Sequence, residues 1–474
     1  MSITRQPISF SQPRGGQSPE VDEAELLCFR FTDLAGRWLQ FFRPNQGISL
    51  NDGINFSVLA SGWRLSNNSD YLFRPDPDTR YREPSAPVGT TSYVCDVYES
   101  NGTAPYERDP RLILKAAKSH LSDVLGEDAC FQVGLEFEFY LFEDIRLYSS
   151  NGEATIQIVE SEGIESVRPG FAGTPGYSLY HSNLHLSPTV DRHHAFRLKA
   201  AKNLLASGLR PISYHHEAGP SQCEIGIEHM DILAAADAIQ KTKDIIRKTA
   251  QSEGRIATFM PRPLAYSAGS GLHLNLSIVS GGKNLFAGDK PGELSETARR
   301  AMGGILQHAR ALNCFLNPTP NSYRRLEYMF GSHTPVGYGF SDRTTAIRIP
   351  PFARPAAARI EARFGDASLN PYLALAALAL ACLDGIEQRI EPGEPAAARE
   401  WSRKTPQLWR RPDTALARDL EEALVALDRD RGFLTASGIF KDDLVDAHLL
   451  ELSRRALDLI ARPHPHEFYE GVGT

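Results

Sequence analysis

The sequence predicts a mixed α+β protein with two or more domains. Segments such as 134–142 carry apolar residues at every second position, as strands with one buried face do. Segments such as 110–126 carry them at a spacing of three and four, as amphipathic helices do. The length of 474 residues is well above the size at which a core becomes hard to build, and it suits more than one domain.

The composition is that of an ordinary globular protein and excludes several classes. Apolar residues make up 42% of the chain and charged residues 23%. A net charge of −7 argues against a nucleic-acid binder, which needs a basic surface. The longest apolar run, residues 372–383, is too short to span a bilayer and reads as a buried helix. We therefore expect no nucleic-acid partner and no membrane partner.

The cysteines and the N-terminus indicate a cytoplasmic protein. The six cysteines are scattered without paired spacing, which fits neither a disulfide framework nor a zinc site and favours a reducing compartment. Residues 1–21 are polar and lack the apolar core of a signal peptide. We expect this N-terminal stretch to be disordered.

Residues 22–106 are predicted to form a small first domain. Strands at 26–33 and 37–42 form a hairpin around a short turn, and 92–98 is another strand. Residues 45–87 are rich in Asn, Ser, Asp and Pro and are expected to be irregular. Loops of this length are uncommon in compact domains and are often functional.

A second, larger domain is predicted over residues 107–474. It opens with a helix whose N-cap is Asp109, whose first residue is Pro110, and which ends at Gly126. Further helices are predicted at 192–209, 230–253, 368–389, 414–428 and 441–461. The Pro- and Arg-rich residues 391–412 are expected to be irregular.

The strand at 134–142 carries two carboxylates on one face. Its apolar side chains point to one side, and Glu136 and Glu138 point to the other, about 6–7 Å apart along the strand. That span can serve two neighbouring cations. The alternative is an amphipathic strand whose glutamates face water.

A second pair of carboxylates is predicted in the hairpin at 214–225. If Pro220 and Ser221 form the loop, the register places Glu217 opposite Glu224. Two like charges in that position are destabilising unless a cation lies between them, which favours a metal site. The alternative is a longer hairpin whose acidic residues are solvated.

Two further strands separate polar from apolar residues. In 269–277, His273, Asn275 and Ser277 share one face, although a single histidine on a strand is often only a hydrogen-bonded structural residue. The glycines before it let a ligand approach the backbone. In 359–364, the polar residues that share a face are Arg359, Glu361 and Arg363.

Arginines also cluster in two loop-like segments, 321–325 and 343–348. Such a cluster can be a solvated face, but next to an apolar row and Glu361 it favours a site for phosphate or carboxylate. Several carboxylates with one histidine favour Mg²⁺ or Mn²⁺ over zinc. Two or three such ions together with arginines suit phosphoryl transfer from ATP. No Ser/His/Asp or Cys/His set with informative spacing indicates a protein nucleophile.

These segments resemble the glutamine synthetase family, strongly over residues 107–385 and weakly over 22–106. The motifs that carry the resemblance are Gly134-Leu-Glu-Phe-Glu-Phe, His215-His-Glu with Gln222-Cys-Glu, Gly269-Ser-Gly-Leu-His, Asn317-Pro-Thr-Pro-Asn-Ser-Tyr-Arg-Arg-Leu, Arg348-Ile-Pro and Arg359-Ile-Glu-Ala-Arg. Chance does not readily give six ordered motifs at consistent spacing. The resemblance implies a small N-terminal β-grasp domain and a larger catalytic domain of the glutamine synthetase and guanido kinase type, built on an antiparallel sheet with helices.

The resemblance also implies roles for individual residues. One metal ion would be held by Glu138, Glu217 and Glu224, and the other by Glu136, His273 and Glu361. The substrate amino acid would be bound by Gly269, Arg325, Arg348 and Arg363. ATP would be contacted by Asn275, Ser277, Arg343, Arg348 and Arg359. The residues that face the transferred phosphate and the reacting carboxyl, and that would be catalytic, are Arg343 and Arg363.

In the family, ATP converts the γ-carboxylate of glutamate to an acyl phosphate, and ammonia then displaces the phosphate to give the amide. The resemblance further implies that subunits assemble into rings with active sites shared between neighbours, as a dodecamer of two hexamers. ATP and two or three Mg²⁺ or Mn²⁺ ions would serve each site.

The sequence departs from the family where ammonia is bound. The family aspartate that binds ammonium aligns with Phe56, and Asp52 could replace it only with an insertion. The family's flap glutamate aligns with Gly331. Losing both carboxylates removes the cation site and leaves an apolar, roomier pocket, so we expect an organic amine as nucleophile and a γ-glutamyl amide as product. His333 or Glu327 could then act as general base.

A further departure concerns the acid, because Ala268 stands where the family has an asparagine that helps to hold the amino acid. Glutamate is expected as the acid substrate without that contact. Three alternatives stay open: a true glutamine synthetase with a relocated ammonium site, a guanidino-phosphagen kinase, and a non-catalytic homologue. The kinase's own motifs are not evident, and retention of all six expected metal ligands argues against a non-catalytic role.

Overall fold

The computed structural model describes residues 24–58, 70–84, 86, 88–150, 153–162, 184–265, 267–329, 335–396 and 415–461. Within these residues the chain forms a six-stranded sheet, a nine-stranded sheet, a separate two-stranded ribbon, and helices that pack against the larger sheet. The prediction of a mixed α+β protein is confirmed.

The smaller sheet is formed by the N-terminal part of the chain. Its strand order is β2-β1-β6-β4-β3, with β5 paired to β6. Its strands are β1 (Leu26–Thr32), β2 (Trp38–Pro44), β3 (Ile54–Ser57), β4 (Asp70–Pro75), β5 (Tyr81–Arg82) and β6 (Thr90–Glu99). The predicted hairpin of β1 and β2 and the predicted strand within β6 are present.

The expectation that residues 45–87 are irregular is wrong in part. The strands β3, β4 and β5 lie within this segment, and all three pair in the smaller sheet. They are short, and β3 has no buried residue, so polar residues along it obscure the alternation that normally indicates a strand.

The larger sheet has the strand order β10-β11-β7-β13-β17-β16-β15, with β12 paired to β7 and β14 paired to β13. The first of these strands in the chain is β7 (Cys130–Phe142), and the ribbon that follows it consists of β8 (Asp144–Ser150) and β9 (Glu153–Val159). The other strands of the larger sheet are β10 (Pro211–His216), β11 (Gln222–Asp231), β12 (Ile256–Thr258), β13 (Leu272–Ser280), β14 (Lys283–Asn284), β15 (Tyr338–Phe340), β16 (Ile347–Ile349) and β17 (Ile360–Ala362). Only the β15–β16 pair is parallel within this described sheet.

Several helices begin at a side-chain cap, including two that the sequence predicts. Asp109 accepts a hydrogen bond from the backbone N–H of Arg111 and begins α1, and Asn370 caps the buried helix α7 in the same way. The helices are α1 (Pro110–Leu125), α2 (His194–Ala206), α3 (Ile232–Gln251), α4 (Glu296–Gln307), α5 (Ala309–Leu316), α6 (Pro320–Met329), α7 (Pro371–Glu387), α8 (Leu420–Arg429), α9 (Gly432–Thr435) and α10 (Asp442–Ile460).

Three helices and the short α9 were not predicted from the sequence. The pattern of α4 is interrupted by two adjacent glycines, and α6 begins at a proline inside a polar segment that reads as a loop. Arg325 therefore lies on a helix and not on a loop. Much of the predicted irregular segment 391–412 lies outside the described residues.

One face of the larger sheet is covered, and this leaves the other for polar residues. On β7, Leu135, Phe137 and Phe139 are buried in a core that also holds the apolar faces of α1 and α3. The chemistry-bearing side chains of the central strands consequently share the opposite face.

None of the described helices is both long enough and apolar enough to cross a lipid bilayer.

Candidate functional site

Polar residues of adjacent strands line up across the open face of the larger sheet. Glu224 on β11 lies opposite Glu138 on β7, and Glu136 lies opposite His273 on β13. Farther along, Asn275 lies opposite Glu361 on β17. Because directly opposed side chains in antiparallel strands have Cβ atoms about 4.5–5.5 Å apart, this register brings the predicted ligands of four strands together.

Glu136, His273 and Glu361, here called the central cluster, each offer a ligand atom within 4.8 Å of the others. His273 Nδ1 is 3.4 Å from Glu136 Oε2 and 3.6 Å from Glu361 Oε1. Glu361 is fully buried and Glu136 is half-buried. Two carboxylates and an imidazole are a donor set that suits a divalent cation.

Arginines neutralise the central cluster in the metal-free protein. Arg348 Nη1 donates to Glu361 at 2.5 Å, and Arg363 forms an ion pair with the other oxygen of the same carboxylate. Burial would raise the pKa of Glu361, but the charges of Arg363, His273 and Arg348 hold it below its usual value. Burial likewise works against the ionised form of Glu136, and hydrogen bonds from His273 and Asn275 lower the pKa of that carboxyl to about 2.

A second group, here called the hairpin cluster, consists of His215, Glu217 and Glu224 on β10, the turn and β11. Its ligand atoms also lie within 4.8 Å of one another. His215 Nε2 is 3.4 Å from Glu224 Oε1. Glu217 accepts a hydrogen bond from the backbone N–H of Ala218 at 2.8 Å.

The predicted register of this hairpin is wrong. His215, and not Glu217, lies opposite Glu224, and the N–H of Glu217 donates to the carbonyl of Gln222. The physical reason is a turn longer than the assumed Pro220-Ser221 loop, in which the N–H of Gln222 closes onto the carbonyl of Gly219. Since the pairing moves by an even number of residues, Glu217 and Glu224 still share a face.

In the hairpin cluster, Glu224 disfavours the charged form of Glu217. Burial and the nearby Glu224 both raise the pKa of Glu217, whereas the hydrogen bond to Glu224 raises the pKa of His215 to about 9. The raised pKa of His215 keeps a proton on its imidazole at neutral pH. A divalent cation would compete with that proton, because it supplies positive charge to the two carboxylates.

Glu138 lies between the two clusters. Its Oε2 accepts the N–H of Gly271 at 2.6 Å, and its Oε1 is 3.8 Å from His273 Nε2. That imidazole nitrogen is buried and has no hydrogen-bond partner among the described residues. A buried polar atom without a partner costs free energy unless something binds it, so the residues present fit metal ions on this face.

Arg325 is fully buried beside the glycine-rich segment before β13. Its guanidinium donates to the carbonyls of Arg363 and Phe364, and its Nε has no partner in the described part of the chain. A Cβ at Gly269 would lie 2.5 Å from Arg325 Cγ, and one at Gly271 would lie 2.4 Å from Arg325 Nη2. These glycines therefore leave space for an arginine, whereas the sequence suggested space for a ligand.

The predicted ATP-contacting residues lie along β13 and its neighbours. Asn275 donates to Glu136 at 2.9 Å and accepts a hydrogen bond from Arg359 Nε at 2.9 Å. Ser277 follows on the same face and is half-buried. Arg343 is exposed in the turn before β16. The structure thus brings Asn275 and Arg359 together, places Ser277 on the same face of β13, and leaves Arg343 exposed.

Of the two residues expected to line the amine pocket, Phe56 and Gly331, only Phe56 lies in the described part of the chain. Phe56 lies on β3 and stacks on Phe41 with a centroid separation of 4.2 Å. The guanidinium carbon of Arg43 is 5.1 Å from the Phe56 ring centroid. Gly331 and His333 lie outside the described residues.

One residue of the site was missed from the sequence. His215 stands two positions before Glu217, so alternation places it on the same face of the hairpin, and its Nε2 faces Glu224. The alternation in the sequence indicates this position, although His215 was interpreted only as part of the His-His-Glu motif. The pairing of Glu361 with two arginines could not be read from spacing, because Arg348 reaches it from another strand.

Comparison with known proteins agrees with this arrangement. A sequence model described as "Glutamine synthetase, catalytic domain" matches residues 107–470. The chain belongs to the glutamine synthetase family. It is a ligase of that family, whose members use ATP and divalent metal ions in nitrogen metabolism.

The similarity to individual relatives covers almost the whole length of both proteins. Glutamine synthetase from Azotobacter vinelandii is 35% identical over 470 residues, which cover 94% of this chain and 96% of that protein. The corresponding protein of Pseudomonas aeruginosa is 37% identical with the same coverage. Among solved structures, Plasmodium falciparum glutamine synthetase superposes with a TM-score of 0.81 and 25% identity, covering 95% of this chain and 96% of the other.

The structure of GmaS in complex with ADP superposes with a TM-score of 0.77 and 27% identity, and covers 96% of this chain and 98% of GmaS. This family member therefore shares its overall fold both with a glutamine synthetase and with GmaS.

Proposed function

We propose that this family member is a glutamate–amine ligase. It would activate the γ-carboxylate of glutamate with ATP as an acyl phosphate and join it to an organic amine, giving a γ-glutamyl amide. The choice of an amine is supported by Phe56, which we align with the family's ammonium-binding aspartate and which is an aromatic ring beneath the cation of Arg43.

The phosphoryl-transfer half rests on the open face of the larger sheet. Glu136, His273 and Glu361 would hold one Mg²⁺ or Mn²⁺ ion, and Glu138, Glu217 and Glu224 would hold another, with His215 beside them. When bound, such ions neutralise phosphate charge and polarise the transferred group. The ADP complex of GmaS supports nucleotide binding on this fold.

The chain's own residues would orient the reactants. Asn275, Ser277 and Arg359 would contact ATP from β13 and the segment before β17. Arg343, Arg348 and Arg363 would face the transferred phosphate, where their fixed positive charge lowers the barrier without reorganisation. Arg348 and Arg363 are already held by Glu361.

The acid substrate would lie against the glycine-rich segment. Gly269 would contact it through its backbone, and Arg325, Arg348 and Arg363 would provide positive charge for its carboxylates. Tyr140 donates to the carbonyl of Ala268 at 2.6 Å, so this segment is held in place although the side chain of Ala268 carries no amide group.

The amine half is built differently. Phe56 is half-buried, and the only acid near it along the chain, Asp52, is exposed in a short turn before β3. A ring stacked on Phe41 beneath a guanidinium offers apolar surface but no carboxylate to hold an ammonium ion. In a shared active site, the organic part of an amine would pack on this ring. Gly331 would leave room beside it.

A steady-state assay decides between the amine ligase and a true glutamine synthetase, the activity that the names of the bacterial relatives favour. ATP turnover is measured with glutamate and a panel of ammonia, methylamine and larger amines. An added apolar contact contributes about 1–3 kcal/mol, so kcat/KM for the best amine should exceed that for ammonia by at least about tenfold. Highest kcat/KM with ammonia would contradict the proposal.

A matched pair of variants locates the cause. Phe56→Asp restores the acid and should raise the ratio of ammonia to amine efficiency, whereas Phe56→Leu keeps an apolar contact and should keep the amine preference. If both variants shift the ratio equally, loss of the aromatic stack and not the missing acid determines the choice.

We also infer the assembly, the domains and the location. Ile212 and Tyr214 are exposed apolar side chains on β10, the edge strand of the larger sheet, and suit burial between subunits of a ring, as a dodecamer of two hexamers. The division into an N-terminal β-grasp domain (22–106) and a catalytic domain (107–474) is supported by the separate sheets. All six cysteines are free, as expected in the cytoplasm.

A further inference from the structure

We propose that Glu162 is a positioning residue that holds the hairpin cluster in place from the rear of the sheet. The inference rests on the proposed function, since it assigns a role to the metal-binding hairpin. The hairpin has two faces: Glu217 and Glu224 face the site, whereas the neighbouring side chains His216 and Cys223 face the interior and are fully buried.

The carboxylate of Glu162 holds both ends of the turn. Its Oε2 accepts the backbone N–H of Ser221 at 2.7 Å and lies 2.8 Å from His216 Nε2. His216 Nδ1 is 2.7 Å from the carbonyl of Glu217, so both nitrogens of this ring face acceptors. One carboxylate thus connects the residue before Glu217 to the last residue of the turn.

The turn needs such support because its backbone is strained. Ser221 adopts a φ of +60°, a left-handed conformation that is unfavourable for a residue with a side chain. Its hydroxyl is buried without a hydrogen-bond partner among the described residues. Gly219 has no room for a side chain, since a Cβ there would lie 2.2 Å from the Tyr140 hydroxyl. The conformation is therefore imposed by its surroundings.

A second support acts on the other arm of the hairpin. Arg197 Nη1 donates to Cys223 Sγ at 3.3 Å, and Asp191 forms an ion pair with the same guanidinium.

The side chain of Glu162 is only 10% exposed, and its Oε1, 3.7 Å from His193 Nε2, accepts no hydrogen bond within the described residues. The Glu162 carboxylate therefore contacts the hairpin through one oxygen, Oε2.

The consequence reaches the metal ligands through one peptide unit. His216 immediately precedes Glu217, and Cys223 immediately precedes Glu224. If the turn relaxed, both carboxylates would move relative to Glu138, which lies opposite Glu224 on the next strand. Residues that orient metal ligands typically contribute tenfold to a hundredfold to metal affinity.

The test compares Glu162→Gln with Glu228→Gln in the full-length protein. Glu228 is on the same strand as Glu224, and its carboxylate pairs at the surface with Arg210 at 3.4 Å, so it controls for loss of one carboxylate. Mn²⁺ binding is measured by electron paramagnetic resonance without substrates, and the two classes of site are assigned with Glu217→Gln and Glu361→Gln. We expect Glu162→Gln to weaken the hairpin cluster at least about tenfold and Glu228→Gln to leave it unchanged.

Activity gives a readout that simple destabilisation would not. At saturating Mn²⁺, Glu162→Gln should recover its kcat while the Mn²⁺ concentration for half-maximal activity stays raised. A folded Glu162→Gln protein with unchanged Mn²⁺ affinity would overturn the proposal, and so would loss of one entire Mn²⁺ per subunit outside the two clusters, since Glu162 would then itself be a ligand.

Two further results keep the outcome clear. If Glu162→Gln does not fold, Glu162→Asp, which keeps the charge but withdraws it by one methylene, should show the same selective loss at the hairpin cluster; equal loss at both clusters would overturn the proposal. Absence of Mn²⁺ binding to the unmodified protein would instead contradict the proposed function.

Discussion

The central cluster and the hairpin cluster contain similar side chains but are neutralised in different ways. In the central cluster, Glu361 is paired with Arg348 and Arg363, and its carboxylates have lowered pKa values. In the hairpin cluster, two carboxylates share a single histidine, and Glu217 has a raised pKa. Arginines hold the Glu361 carboxylate of the central cluster in its charged form, whereas a cation at the hairpin cluster competes with the proton on His215. The source of countercharge, and not the ligand type, separates them.

The largest expected effect comes from removing the countercharge of the central cluster. Glu361→Ala leaves two guanidiniums without a partner in a buried site, so the free energy of unfolding of the metal-free protein should fall by about 3–5 kcal/mol. Metal-dependent ATP turnover should be abolished. Urea unfolding and a coupled ATP assay measure the two effects. Glu361→Gln is the isosteric control, and it should lose turnover with a smaller loss of stability; equal stability of all three proteins would show that the arginines need no partner.

The same kind of substitution in the hairpin cluster should act in the opposite direction on stability. Glu217→Gln relieves a like-charge pair, so the metal-free protein should unfold at an equal or slightly higher urea concentration. Its Mn²⁺ affinity at the hairpin cluster should fall by at least about a hundredfold, because a ligand and not an outer partner is lost. A clear loss of metal-free stability would mean that the two clusters are balanced alike.

The smallest effect is a difference in pH dependence. The hydrogen bond from His215 to Glu224 raises the pKa of the imidazole to about 9, so a cation on Glu224 displaces a proton at neutral pH. Affinity at the hairpin cluster should therefore rise by at most about tenfold from pH 7 to pH 8. Mn²⁺ titrations at both values, with His215→Gln as control, measure it. Identical pH slopes in the protein and the control would contradict this assignment.

The raised pKa of His215 also makes the stability of the metal-free protein depend on pH. Because the folded pKa of His215 is raised, its ion pair stabilises the fold fully below the ordinary histidine pKa of about 6.5, and this contribution is lost as the pH rises through about 9. Glu136 behaves in the opposite way, since its pKa of about 2 gives a contribution that is lost only in acid.

What could be predicted from the sequence depended on local period. Alternation along a strand assigns each residue to a face, so the shared face of Glu136 and Glu138 and that of His273 and Asn275 followed from the chain alone. Register and turn length are not local in this sense. The hairpin pairing was wrong because Ser221 accepts a left-handed conformation that nothing in its residue type indicates.

Long-range contacts also escaped the sequence. Arg325 lies on a helix and fills the space that Gly269 and Gly271 leave, although spacing suggested that these glycines admit a ligand. Glu162 contacts the hairpin from a position 59 residues before Ser221. Neither contact has a periodic signature, because each joins elements that the fold, and not the chain order, brings together.

The even shift in the hairpin has a consequence for how this loop can change during evolution. The strands β10 and β11 alternate with a period of two, so inserting or deleting two residues in the turn would keep Glu217 and Glu224 on the metal-binding face. A change of one residue would need a bulge or a rearranged loop to keep both carboxylates on that face. Length variation in this turn is therefore expected more often in pairs of residues where the site is kept.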